Sequence, residues 1–349
     1  MSTVKRSVFV SIVFFALFLC VSLPIAQSAE ATGNAPVMVA SQETTIPLGV
    51  KTETSSGEIE CPYKLRLRAG ALFLHREDND NRTLVTLDGS RTINANDLDL
   101  GWATGTDISL MGQYKEFGVE LRYFGLQDWS ESKSAVSLNV GIPYHSPTTF
   151  FWTSNDEMHI SADYNSKINN AEFNLHWWPC ANDRYHLLMG VRWIRLNERL
   201  DFNLVNIVGS HLDHNNVTAD NKLWGGQLGI EGILLGNQKQ GFSVDGFVKA
   251  GYYNNNFSSS MHDSFWSQFG YGANVSKDHG TFAGEMGIGA QYAFTRNIAL
   301  GTRYQLFWLN SVGFAPEQMR ALHPSTGGGS ADWESVLYQG GWVGLTVSF

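Results

Sequence analysis

Charge is scarce in this 349-residue chain: 16% of residues are ionisable Asp, Glu, Lys or Arg, against roughly 25% in an ordinary soluble domain. Long apolar runs are scarcer still. After residue 25 none approaches the roughly 20 residues that a membrane-crossing helix requires. An excess of positive charge is also missing, since the formal net charge is −9; this argues against nucleic-acid binding, which wants basic patches. The sequence holds no Gly-x-Ser-x-Gly, His-Glu-x-x-His or phosphate-loop motif, so the common hydrolase, zinc-protease and nucleotide-binding signatures supply no function. No cofactor and no metal site is expected.

What is abundant points elsewhere. Aromatic residues make up 13% and glycines number 35, while mean hydropathy is −0.16. Few charges, many aromatics and no bulk hydrophobicity suit strands with one face in lipid and the other in water. A secreted β-sandwich or lectin shares that composition. The N-terminus narrows the choice. Lys5 and Arg6 precede an apolar run from Val8 to Ile25 and then Ala26-Gln27-Ser28-Ala29, the layout of a secretory signal. Cleavage is expected after Ser28, Ala29 or Ala31, with an uncleaved anchor as the other reading of so long a run. Cys20 lacks the preceding small residue of a lipoprotein signal. Loss of Lys5 and Arg6 takes the formal charge from −9 to −11. The expected organisation is a signal peptide over 1–29, a polar periplasmic segment over 30–60, and a β-barrel over 61–349.

Period-two alternation recurs through the third part, as strands demand. Leu65, Leu67, Ala69, Ala71 and Phe73 oppose Arg66, Arg68 and Gly70. Ile108, Leu110 and Tyr114 oppose Asp107, Ser109 and Gln113. After a turn at 115–118, Val119, Leu121 and Tyr123 oppose Glu120 and Arg122. Further on, Ala171, Phe173, Leu175 and Trp177 face away from Glu172, and Leu187, Met189, Val191 and Trp193 from Arg192. Leu228 and Ile230 oppose Glu231, while Val244, Val248 and Tyr252 oppose Asp245 and Lys249. Met286, Ile288 and Tyr292 oppose Glu285, and Leu300, Tyr304 and Trp308 oppose Arg303. The last segment, Val343-Gly-Leu345-Thr-Val347-Ser-Phe349, ends on an aromatic. About ten strands result, with twelve possible, joined alternately by short turns (near residues 116, 181, 238 and 296) and by loops of up to thirty residues or more. The expected fold is an all-β, antiparallel up-and-down transmembrane barrel with short periplasmic turns and long extracellular loops. Val343, Leu345, Val347 and Phe349 resemble the C-terminal signal read by the outer-membrane barrel-assembly machinery.

Pointing the apolar faces at lipid leaves twelve charges inside: Arg66, Arg68, Arg122, Arg192, Lys249 and Arg303 against Asp107, Glu120, Glu172, Glu231, Asp245 and Glu285. Equal numbers of each sign in a small barrel favour a cross-linked plug over a charged eyelet for ions. Cys61 and Cys180 both fall at the short-turn rim, where a disulfide is permitted. Trp102, Trp177, Trp178, Trp193, Trp308 and Trp342 lie near strand ends and suit an interfacial girdle. His211, Asp213 and His214, with His262-Asp263 and Asp156 and His159, could assemble Asp/His chemistry in the loops; solvated loop residues are the plainer reading.

Several stretches resemble the β-barrel porin family of planctomycete-type bacteria: Tyr164–Leu175, Leu188–Arg199, Leu223–Glu231, Gly246–Tyr252, Phe282–Ile288, Tyr304–Leu309, Val336–Gly341 and Val343–Leu345. The resemblance runs from about residue 160 to the end. It implies an outer-membrane barrel, in contact with outer-membrane lipid, and brings no catalytic residues. The expected function is a structural or narrow porin-like outer-membrane barrel, not an enzyme. An outer-membrane enzyme using loop Asp and His, or a secreted all-β binding protein, are the alternatives.

Overall fold

The computed structural model describes residues 63–77, 82–143, 149–179, 184–206, 211–236, 241–264, 272–323 and 326–349. The expected signal peptide, the polar segment, Cys61 and Cys180 lie outside them, and the described residues fall in the unit Pro62–Phe349.

Ten long strands form a closed antiparallel barrel. They are β1 (Tyr63–Glu77), β4 (Trp102–Tyr114), β5 (Phe117–Pro143), β6 (Thr149–Trp177), β7 (Tyr185–Asn206), β8 (His211–Gly236), β9 (Gly241–Asp263), β10 (Gly272–Ala293), β11 (Ile298–Val312) and β14 (Glu334–Ser348). Each pairs with its sequence neighbour around the wall, and β1 pairs with both β4 and β14. The seam is sealed to its last residue: Phe349 N–H donates to Leu65 O at 2.8 Å and Leu65 N–H to Phe349 O at 3.2 Å. In the lower wall every strand has a neighbour on both sides, as a lipid-facing sheet requires; above Leu126, β5 pairs with β6 on one side and with β2 only at Val140 and Gly141 on the other.

Smaller elements decorate one end. The hairpin β2 (Thr83–Leu87) and β3 (Arg91–Asn94) hangs from β5 through β2. The helix α1 (Ala315–Ala321) follows β11, and a two-residue pair, β12 (Leu322–His323) with β13 (Gly328–Gly329), leads to β14. No described helix is long and apolar enough to cross a membrane, which bears on helices alone.

The short turns sit where the sequence puts them and have local causes. Lys115, between β4 and β5, takes the left-handed conformation at φ 53°, and Gly236 and Gly241 bracket the β8–β9 turn at φ 78° and 81°. Between β10 and β11, Thr295 Oγ1 accepts from the backbone N–H of Asn297 at 3.2 Å and of Ile298 at 3.0 Å.

At the other end the expected long loops are replaced by strand. β5 and β6 run 27 and 29 residues, where about 9–11 suffice to cross a bilayer. The reason is an inversion of polarity at constant pleat. On β7 the outward residues are apolar from Tyr185 to Trp193, then polar at Arg195, Asn197, Arg199, Asp201 and Asn203. The inward residues change the opposite way, from His186 and Arg192 to Ile194, Leu196, Leu200, Phe202 and Leu204. β6 switches at Asn169 and Asn170: Ala171, Phe173, Leu175 and Trp177 face out below, while Ile160, Ala162, Tyr164 and Ile168 face in above. β8 and β9 switch at the same level, after Trp224 and Tyr252. One strand therefore serves two environments. Its lower half has lipid outside and polar groups inside; its upper half has water outside and an apolar core inside.

That core gathers Phe124, Trp129, Ile160, Leu200, Phe202, Val217, Phe257, Phe307 and Tyr338, all at most 1% exposed, together with Phe314 and Met319 from the α1 segment. Below it, Leu187, Met189, Val191, Leu228, Tyr252, Ile288 and Leu345 form part of an exposed apolar belt. The inversion sets the cost of a charge by its height on β7. Met189→Arg, in the belt, is expected to lose about 2–4 kcal/mol of stability in vesicles. Asn203→Arg, on the same face above the switch, should change it by no more than about 0.5 kcal/mol. Denaturant titration of both refolded variants checks the difference.

Candidate functional site: the barrel interior

Side chains pointing into the lower half of the barrel meet across it. Arg122 on β5 reaches Asp107 on β4 at 2.8 Å, Glu172 on β6 at 3.2 Å and Glu285 on β10 at 2.7 Å. β5 and β10 are five strands apart in either direction around the wall, so the Arg122–Glu285 bridge spans the whole bore. Arg192 adds a second cation, 2.9 Å from Glu285 and 3.8 Å from Glu172, and Lys249 Nζ lies 2.8 Å from Glu172. Neutral groups add hydrogen bonds around Glu172 and Arg192. Asn174 and Gln227 donate to Glu172 at 3.1 and 2.8 Å, and Arg192 Nε donates to Asn170 at 2.5 Å. Gly190 makes this possible, because a Cβ there would stand 2.2 Å from Asn174 Oδ1. Every ion in the cluster is buried, and in such surroundings a charge survives only when paired and hydrogen-bonded.

The other expected interior charges lie nearer the short-turn end. Arg303 pairs with Asp245 at 3.1 Å. Glu120 lies 3.3 Å from His176 and accepts from Asn174 at 3.1 Å, while Glu231 lies 3.9 Å from His186. Arg68 stacks over Trp342 at 5.6 Å. Arg66, Arg68 and Glu231 are partly exposed, and the other nine are buried. The structure thus brings Asp107, Arg122, Glu172, Arg192, Lys249 and Glu285 into one network and leaves the remaining six in smaller groups.

The apolar storey begins where the charges end. Arg122 sits 5.2 Å from the Phe124 ring and Arg192 4.7 Å from the Phe307 ring; Phe124 meets Phe307 edge-on at 5.8 Å, and Tyr338 stacks between Phe307 and Trp129 at 6.0 and 5.4 Å. Above, a second bridge crosses the interior from β1 to β7. Glu198 receives Arg76 at 2.5 Å and Tyr164 at 2.6 Å, and accepts from the backbone N–H of Ala315 at 3.1 Å. Asn221 on β8 holds Gly313 from both sides, donating to its carbonyl at 2.7 Å and accepting from its N–H at 2.9 Å. These contacts seat α1 inside the barrel, with only Arg320 of its residues exposed. Neither α1 nor the Arg76–Glu198 bridge follows from the alternation of the sequence. Pro316 beside Glu317 was the available signal for a helix start, and seven residues are too few for periodicity.

The Asp/His candidates do not converge. They stand on strands, not in loops. Asp213 faces inward and is buried, while its neighbour His214 faces out toward Asn203, 2.7 Å away. Asp263 is buried and His262 exposed for the same reason of alternation. Asp156 and His159 are both exposed on β6, and the side chain of His211 lies outside the described set. Among the described residues no group of three or more His, Cys, Asp or Glu could hold a metal ion. Of the tryptophans, Trp102 and Trp177 face outward, exposed, and Trp193 and Trp308 face out half-buried; Trp178 and Trp342 are buried and turn inward, against a place in the girdle.

A closed antiparallel wall with an apolar outer belt and a charged interior decides the architecture. It is a transmembrane β-barrel of the outer-membrane type. No protein-family model matches the chain, and no curated protein matches it. Among solved structures it is similar to the outer membrane protease OmpT of Escherichia coli (TM-score 0.43, 13% identity, covering 82% of this chain and 96% of that one). It is also similar to Ail, the attachment invasion locus protein of Yersinia pestis (0.25, 10%, 82% and 99%), and to OprG of Pseudomonas aeruginosa (0.26, 11%, 82% and 95%).

Arg122 is the group whose loss leaves most unpaired. Arg122→Leu strands Asp107 and removes a partner from Glu172 and Glu285. Unfolding in urea should show a loss of about 3–5 kcal/mol, the usual cost of breaking a buried pair from one side. An unchanged midpoint would mean that the cluster is hydrated.

Proposed function

We propose that the chain is a closed, structural outer-membrane barrel, carrying an extracellular β-structured stalk, and is neither an open pore nor an enzyme. The Arg122–Glu285 bridge across the full diameter carries this reading. An ion moving through the barrel would have to break that pair, displace the neutral groups around Glu172, and then pass an apolar layer containing Phe124, Phe307 and α1. Apolar constrictions of this kind exclude water and hence ions. The opposite facing of Asp213 and His214, and of Asp263 and His262, on their strands supports a structural role over a catalytic one.

The orientation follows the usual rule for such barrels, with short turns toward the periplasm and long elements outward. Residues 1–29 then act as the export signal, and the exposed belt meets outer-membrane lipid. Val343, Leu345, Val347 and Phe349, on the outward face of the closing strand, present themselves to the assembly machinery. The polar outer surface of the upper strands and the β2–β3 hairpin are what the cell shows its environment.

The hairpin is fastened by Asp88, which accepts from Ser137 Oγ at 2.6 Å and from Arg91 at 2.6 Å. The Ser137 hydroxyl first, and then Arg91, push its carboxyl down to about 2. A depressed folded pKa gives a contribution fully present above the ordinary value near 4 and lost as pH falls toward 2. The protection factor of the Asp88 backbone N–H, which donates to Asn139 O at 2.9 Å, should therefore fall below pH 4 in the native chain, and hydrogen exchange should show it already low at neutral pH in Ser137→Ala.

The reading itself is tested by reconstituting the refolded protein in planar bilayers at two salt concentrations. Silence is expected at both, from a protein that is heat-modifiable on gels. Discrete current steps that scale with salt would overturn the closed barrel.

A further inference from the structure

On the outer surface, directly above the apolar belt, two neighbouring strands carry a compact basic patch. Trp193 on β7 and Trp224 on β8 are register partners with ring centroids 6.2 Å apart. Two residues further up, in the next outward row, Arg195 and Lys222 are partners in turn. Between them lies one carboxylate, Asp220, which accepts from Arg195 at 2.9 and 3.1 Å and from Lys222 at 3.1 Å. The carboxylate is recessed, with 15% of its side chain exposed, while both cations keep 43% of theirs in solvent. In the row of Arg195 and Lys222 the next strands carry Asn256 and Asp278, so the positive charge is confined to this sector.

We infer that the Arg195–Lys222 patch above the Trp193–Trp224 pair binds the phosphate of an anionic lipid headgroup in the outer leaflet. The inference rests on the outer-membrane reading, because the patch has this meaning only if the belt beneath it is in lipid. Height is the first argument. Aromatic pairs of this kind mark the boundary between hydrocarbon and headgroup, and one row higher is where the phosphate of a lipid stands. Charge is the second: two cations share one carboxylate, so the patch stays positive after internal pairing. Shape is the third. Acyl chains can lie along Met189, Val191 and Leu228, all exposed on the same two strands, while Asn197, Thr218 and Asn254 offer hydrogen bonds to the polar part of the headgroup.

The test uses the refolded full chain inserted into phosphatidylcholine vesicles, where insertion is scored by heat-modifiability. Failure to insert would refute the membrane reading itself, separately from the lipid site. Inserted protein is then titrated, in the same vesicles, with a diphosphorylated glucosamine lipid and read by tryptophan fluorescence. Binding should weaken roughly fivefold for each charge removed in Arg195→Gln and Lys222→Gln. Asp220→Asn removes the competing carboxylate and should tighten binding by a similar factor, an effect that no loss of folding could imitate. Equal affinity in all three variants overturns the site. Competition by inorganic phosphate as strong as that of the lipid would also overturn it, and would assign the patch to a soluble anion instead.

Discussion

The interior of this barrel depends on one guanidinium. Arg122 holds carboxylates from β4, β6 and β10, and so ties together parts of the wall that share no backbone hydrogen bonds. A barrel wall by itself fixes only neighbouring strands; its cross-section is free to flatten. Ion pairs across the bore resist that, and they do so where burial makes each pair costly to open. Arg192 and Lys249 complete the arrangement by bringing Glu172 two further cations, so that no carboxylate of the central group faces the low-dielectric interior alone.

The charged layer also explains the apolar one. Arg122 and Arg192 turn one side toward carboxylates and the other toward the rings of Phe124 and Phe307, a placement suited to a flat, weakly hydrated cation. Above that boundary the interior needs no lipid and no water, and is packed as a soluble protein packs. The seven-residue helix α1 fits there because its N-terminal approach is held by polar groups from the wall, Glu198 at Ala315 and Asn221 at Gly313. The upper structure is thus a hydrophobic core held between the extended strands, the β2–β3 hairpin and the α1 segment.

The lower half of each strand was legible in the sequence, and the upper half was not. The segments around Phe173, Met189, Leu228 and Tyr304 announce themselves by apolar residues at alternate positions over a membrane's thickness. So do the turns at Lys115, Gly236 and Thr295, where the chemistry is local. Beyond Asn169 on β6 or Trp193 on β7 the apolar residues move to the opposite parity. Ile160, Ala162, Tyr164 and Ile168 alternate as regularly as Ala171, Phe173 and Leu175, but out of phase with them, and a phase change reads as the end of an element. The interior charges on the membrane-spanning faces could be listed from alternation alone. Their pairing could not, because Arg122 and Glu285 are 163 residues apart and meet only once the wall is closed. Arg76 ends the first alternating stretch and Glu198 lies past the fifth, so neither is assigned a face by alternation.

The inversion of polarity along β6 to β9 has a mechanical meaning. Moving the barrel inward along its axis by two residues would preserve every inside and outside position, yet would carry Arg195 and Lys222 into hydrocarbon. The opposite displacement would lift Trp193, Trp224 and the residues beneath them into water. Each direction is opposed by a different cost, and both costs rise within a single row of side chains. The molecule carries its own waterline, which sets its depth of immersion without any anchor beyond the wall itself.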